Sequence, residues 1–97
     1  MEAENIQITF HARKRAAQRG ISMDMIKAAI NYGHLIYKQG LRYYICLEND
    51  LLGILPPSLI DHYKNIVIIL SDGDEVVTCY KNEKAFSKIK RKTKRLY

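Results

Sequence analysis

The chain lacks most of the features that would assign it to a specialised class. No apolar run approaches the roughly 20 residues that a membrane-spanning helix needs, and the start, Met1-Glu-Ala-Glu-Asn5, carries no signal-peptide pattern. A cytoplasmic protein with no membrane partner is the expectation. Only two cysteines are present, Cys46 and Cys79, without a CxxC or a metal-ligand spacing. Buried reduced thiols are therefore expected, with one intrachain disulfide as the alternative. Asp72, Asp74 and Glu75 read as a tight turn, since adjacent carboxylates lack the spacing of a cation-binding loop. No metal and no cofactor is called for. There is no internal repeat, and the 97 residues suit one domain, 1–97, with enough core to fold alone but little to spare.

Positive charge is present, and it is unevenly placed. Residues 1–80 hold eight Lys/Arg against nine Asp/Glu, whereas residues 81–97 hold eight Lys/Arg against Glu83 alone. The whole excess of +6 thus lies in the C-terminal segment, with a basic tail over 88–97. Such a concentration suits an anionic partner, RNA or DNA, through neutralised phosphates. The alternative is a solvated segment that serves solubility.

The richest stretch is His11-Ala-Arg-Lys-Arg-Ala-Ala-Gln-Arg-Gly-Ile-Ser22. A helix over Phe10–Arg19 puts His11, Arg15 and Arg19 on one face at i, i+4 and i+8. Phe10, Ala16, Ala17 and Ile21 offer apolar packing. Gly20 suits a left-handed cap, and Ser22 can open the next helix, Met23–Tyr32, which Gly33 stops. The pattern then changes to strands. Leu35–Lys38, a Gln39-Gly40 turn and Leu41–Leu47 read as a hairpin, with Leu41, Tyr43, Ile45 and Leu47 on one face and Arg42, Tyr44 and Cys46 on the other.

Ile66–Leu70 is apolar throughout and should be a central strand covered on both faces. Glu75–Tyr80 should be the fourth strand, with Val76, Thr78 and Tyr80 on one face and Val77 and Cys79 on the other. Glu48–Asn65 holds Pro56-Pro57 and a short helix, Ser58–Tyr63. Its core, 51–64, is an excursion between strands, too apolar for a free loop, which should cover a sheet edge or make a dimer contact. Asn82 can cap a last helix that docks through Ala85, Phe86 and Ile89. The expected fold is α+β: two N-terminal helices packed on a four-stranded antiparallel sheet, helices on one face, with a basic C-terminal helix or tail.

His11…Arg15…Arg19-Gly20-Ile21-Ser22, the second helix ending at Gly33, Arg42-Tyr43 and Val77-Thr78-Cys79-Tyr80 together resemble the domain-of-unknown-function family numbered 4258. That family looks like a branch of the RelE-type toxin fold, grouped with barnase-like and colicin-type ribonucleases. The resemblance covers Phe10–Lys81 apart from Glu48–Asn65. It implies a RelE-like domain that binds RNA, a metal-independent toxin-type endoribonuclease, and an acidic antitoxin-like protein as a possible partner. Two other readings use the same basic surfaces: a non-catalytic RNA- or ribosome-binding module, and a protein-interaction domain with an acidic partner.

Metal-free RNA cleavage needs a base for the 2′-OH, an acid for the leaving 5′-oxygen and cations for the pentavalent phosphate. His11 is the candidate base or acid, because a helix N-terminus favours the neutral imidazole. A capping or half-buried structural role is its alternative. Arg15 and Arg42 are candidate phosphate clamps, since a guanidinium can hold two oxygens at once. Their alternatives are a solvated helix face and a cross-strand ion pair. Arg19, a further substrate contact, has the alternative of satisfying helix-terminal carbonyls. Thr78 and Tyr80 could hydrogen-bond a phosphate and donate a proton or stack on a base, or simply serve the sheet. Lys81 extends the same basic surface. What the resemblance implies is a catalytic set of His11, Arg15 and Tyr80, with Arg19, Arg42, Thr78 and Lys81 binding substrate. His34 and His62 read as surface residues.

Overall fold

Capping chemistry sets the ends of the first two helices. Thr9 has extended backbone angles, and its hydroxyl accepts from the Ala12 N–H at 3.0 Å, so α1 spans Phe10–Gln18. At the other end Gly20 takes φ +69°, and the Ile21 N–H returns to the Ala16 carbonyl at 2.9 Å. This is a Schellman-type stop that only a residue free of Cβ adopts at no steric cost. Ser22 then accepts from the Met25 N–H at 3.2 Å and opens α2, Met23–Tyr32. The structure, a computed structural model, describes residues 6–91.

Two hairpins and one short strand form the sheet. β2 (His34–Lys38) and β3 (Leu41–Ile45) are joined by Gln39 and Gly40, both at positive φ, the turn that matches strand twist. β4 (Ile66–Leu70) and β5 (Glu75–Lys81) follow. A fifth strand, β1 (Gln7–Ile8), lies parallel to β5 and gives the order β1-β5-β4-β3-β2. The expected four-stranded antiparallel sheet is thus corrected to five strands of mixed sense. A two-residue strand is too short to show an alternation in sequence.

Among the described residues there are five helices, and they are not confined to one face. α1 and α2 pack on one side through Ala12, Ala16, Ile26 and Ile30, against Tyr44, Ile68, Leu70 and Val76. On the opposite side Tyr43, Ile45, Val67 and Ile69 are covered by Ala85 and Ile89 of α5 (Ala85–Arg91). Every residue of β4 is buried, which is why its sequence shows no alternation. The first residues of the stretch 88–97, expected as a basic tail, belong to α5, which runs through Arg91 with Ile89 in the core. Residues 92–97 lie outside the described residues, as does the start, 1–5.

The excursion between β3 and β4 folds as α3 (Glu48–Leu51) and α4 (Pro57–Tyr63), the latter starting on a proline at its first position. Leu51 and Ile60 join the core on the α1–α2 side, so this segment covers a sheet face rather than an edge. Phe10, expected to pack, is 82% exposed; Ala12 and Ala16 take the buried stripe of α1 instead. Cys46 and Cys79 are buried free thiols. Cys46 directly follows β3 and Cys79 lies in β5, with β4 between them, so they stand roughly 10 Å apart at ordinary strand spacing and beyond disulfide reach. No helix among the described residues is long and apolar enough to cross a membrane.

One irregularity re-aims β5. Ile69 pairs with Thr78 but the next residue, Leu70, pairs with Val76, so Val77 is an extra residue in the strand. The expected alternation is therefore corrected. Val76 and Cys79 share the α1–α2 face, while Val77 and Tyr80 pack toward the α5 side.

Candidate functional site

β1 pairs only with Glu75 and Val76, and beyond it α1 closes along the outer edge of β5. The Thr9 hydroxyl ties the start of the helix to the Val76 carbonyl at 3.2 Å. The Arg19 side chain ties its end to the Cys79 carbonyl, Nη1 donating at 2.8 Å. With Ala12 and Ala16 turned into the core, the neighbouring stripe of His11, Arg15 and Arg19 faces β5. A rise of about 6 Å per four residues spreads these three groups over about 12 Å.

Helix and strand enclose a cleft of about 410 Å³ lined by His11, Arg15, Arg19, Val77, Thr78 and Tyr80. Its lining holds two guanidiniums and no carboxylate, so its electrostatics favour negative charge. Arg15 Nε donates to His11 Nε2 over a long 3.4 Å. An Nε2 that accepts carries no proton, so the ring proton then sits on Nδ1. The remaining donors of Arg15 and Arg19 are available to a ligand. Burial pushes the Tyr80 phenol above its ordinary range, so near neutral pH it is a proton donor rather than a phenolate. Thr78 adds a hydroxyl and Val77 an apolar wall.

His11, Arg15, Arg19, Thr78 and Tyr80 thus share one cleft. Arg42, expected as a phosphate clamp or else as an ion-pair partner, does not line it. Its guanidinium is ion-paired with Asp74 and donates to the Ser71 carbonyl at 2.9 Å, holding the β4–β5 turn against β3. This pair raises the Arg42 pKa further above its ordinary value. Lys81, also expected to bind substrate, is exposed at the end of β5 opposite Ile66 and does not line the cleft. The backbone N–H of Arg19 caps α1, while its side chain reaches a strand carbonyl rather than the helix-terminal ones. His34 and His62 are exposed, His34 against the edge of Phe86. Val77, expected on the face opposite Thr78 and Tyr80, joins them in the cleft through a bulge that nothing in the sequence marks.

No curated protein and no solved structure matches the chain. The family described as Domain of unknown function (DUF4258) matches over residues 8–91. That span runs from β1 to the end of α5 and contains both walls of the cleft, and on that match the chain belongs to the DUF4258 family.

Proposed function

We propose that the α1–β5 cleft binds an RNA phosphodiester and cleaves it without a metal, as a RelE-like, toxin-type endoribonuclease acting in the cytoplasm. The observation behind this reading is that an imidazole, two guanidiniums and a phenol line one cleft with no carboxylate among them. A phosphate entering the cleft competes for Arg15 and draws its Nε from His11, which frees Nε2 as a base. His11 takes the 2′-OH proton, O2′ bonds to phosphorus, and the bond from phosphorus to O5′ breaks. The Tyr80 hydroxyl gives its proton to O5′, whose alkoxide is more basic than a phenolate. Arg15 and Arg19 offset the charge of the pentavalent phosphate, and Thr78 donates to one of its oxygens. The products are a 2′,3′-cyclic phosphate and a 5′-OH, after which the proton on His11 restores the Tyr80 phenol through solvent.

The full chain incubated with single-stranded RNA in EDTA should yield a 2′,3′-cyclic phosphate end. His11→Ala should slow cleavage by roughly two to four orders of magnitude, the usual loss for a general acid or base, with RNA affinity and fold retained. RNA bound without any cleavage would overturn the enzyme and leave the non-catalytic binding module. Failure to bind RNA at all would leave a protein-interaction domain with an acidic, antitoxin-like partner.

A further inference from the structure

The sheet ends, on the side away from the cleft, in β2. Among the described residues no strand pairs with its outer edge, so alternate N–H and C=O groups of the strand point outward. Apart from Lys38 at its end, β2 has few of the usual protections of an edge. It carries no proline, and its register with β3 runs unbroken from His34↔Ile45 to Lys38↔Leu41. α2 packs chiefly against β4 and β3. As a result Leu35 is 40% and Tyr37 68% exposed, side by side on the α2 face, where they stand opposite Tyr44 and Arg42 of β3. On the other face of β2 Ile36 is half-buried, and the His34 ring lies 5.1 Å from that of Phe86.

We propose that β2 pairs antiparallel with β2 of a second copy of this chain, about a two-fold axis through Ile36, so that two sheets become one. The strand His34–Lys38 is self-complementary about that residue. Leu35 falls opposite the partner's Tyr37 and Tyr37 opposite the partner's Leu35, on one face, while Ile36 meets its own counterpart. This is the only antiparallel register that pairs all five residues, and it turns two exposed side chains into two aliphatic–aromatic cross-strand pairs. A shift by one residue would set each of them against the wrong face.

The exposed parts of Leu35 and Tyr37 amount to roughly 200 Å² per copy, against about 800 Å² per partner in a standard interface. Main-chain hydrogen bonds add to this, so the dimer is a weak one that forms only at high protein concentration.

Sedimentation equilibrium of the full chain, from about 5 μM to about 1 mM, should show a monomer–dimer equilibrium. Leu35→Lys/Tyr37→Lys and Leu35→Glu/Tyr37→Glu each place like charges opposite one another across the axis. Each should raise the dissociation constant at least about tenfold while leaving the circular dichroism spectrum unchanged, since both positions are exposed. Mixing the two variants should restore association through opposite charges in that register. A chain that stays monomeric up to about 1 mM overturns the proposal, as it would if this edge instead served a strand of another protein. A dimer indifferent to both variants, or a mixture that stays apart, overturns it equally.

Discussion

Replacing Gly33 by alanine should be among the most damaging single changes in this fold, and the reason is space rather than backbone angle. Gly33 sits at φ −75° and ψ 169°, angles open to any residue. A Cβ there would lie 2.3 Å from the Ala29 carbonyl oxygen and 3.0 Å from that of Ile45, where ordinary contact begins at 3.4 Å. Both obstacles are backbone, so neither can swing away. One escape opens the last turn of α2 and loses the bond from the Gly33 N–H to Ala29 O, 2.8 Å, worth about 1 kcal/mol. The other moves β2 off β3 at the His34↔Ile45 pair. Overpacking of this kind costs about 1–3 kcal/mol, so the total is about 2–4 kcal/mol. For a domain of this size that means a fall in Tm of roughly 10–30 °C. Thermal unfolding followed by circular dichroism measures it. Gly73→Ala is the control, since a Cβ there meets only Ser71 Oγ at 4.0 Å. A Gly33→Ala protein melting within about 3 °C of the wild type would refute the steric argument.

Other expectations can be checked beside it. Arg42→Met should lower stability by about 1–2 kcal/mol, because a charge-assisted pair at a half-exposed turn is lost, and should leave RNA affinity unchanged; weakened RNA binding would return Arg42 to the site. Burial, with Asp50 adding to it, pushes the Cys46 thiol from 9.0 up to about 12. The folded state therefore holds that proton longer than the unfolded chain does. The resulting stability is complete below pH 9 and falls as pH rises toward 12, by up to about 1.4 kcal/mol per pH unit. Urea titrations near pH 8 and pH 10.5 should show a smaller loss for Cys46→Ala than for wild type, and equal losses would contradict the shift. Removing residues 92–97, which carry Lys92, Lys94 and Arg95, should lower the salt slope of RNA binding by up to about 2, whereas an unchanged slope would take the tail out of the interface. Cutting after Ser87 would not test this cleanly, because it also strips Ile89 from the core.

What could be read along the chain was chemistry that acts within a few residues. Ser22, Gly20, the Gln39-Gly40 turn and the apolar run Ile66–Leu70 announce a cap, a stop, a hairpin and a central strand, because each depends on its own backbone or its own period. The stripe His11, Arg15, Arg19 was legible for the same reason, since helical spacing alone aligns it. Gly33 was legible as a boundary but not in its cause, the close approach of Ala29 and Ile45, which only the packed chain creates. Tyr80 as the partner of that basic stripe followed only from the family resemblance, since no spacing along the chain joins α1 to β5. A one-residue bulge at Val77, forced by the pairing of β5 with β4, reverses the simple alternation of the strand and brings Thr78 and Tyr80 to the cleft. Arg42 shows another case: its strand position left a phosphate clamp and an ion pair both open, and the fold brought Asp74 against it from 32 residues away. Side-chain spacing is a property of one element, but which elements meet is decided by the shared burial of two sheet faces, and that is where the cleft, the ion pair and the open edge of β2 arise.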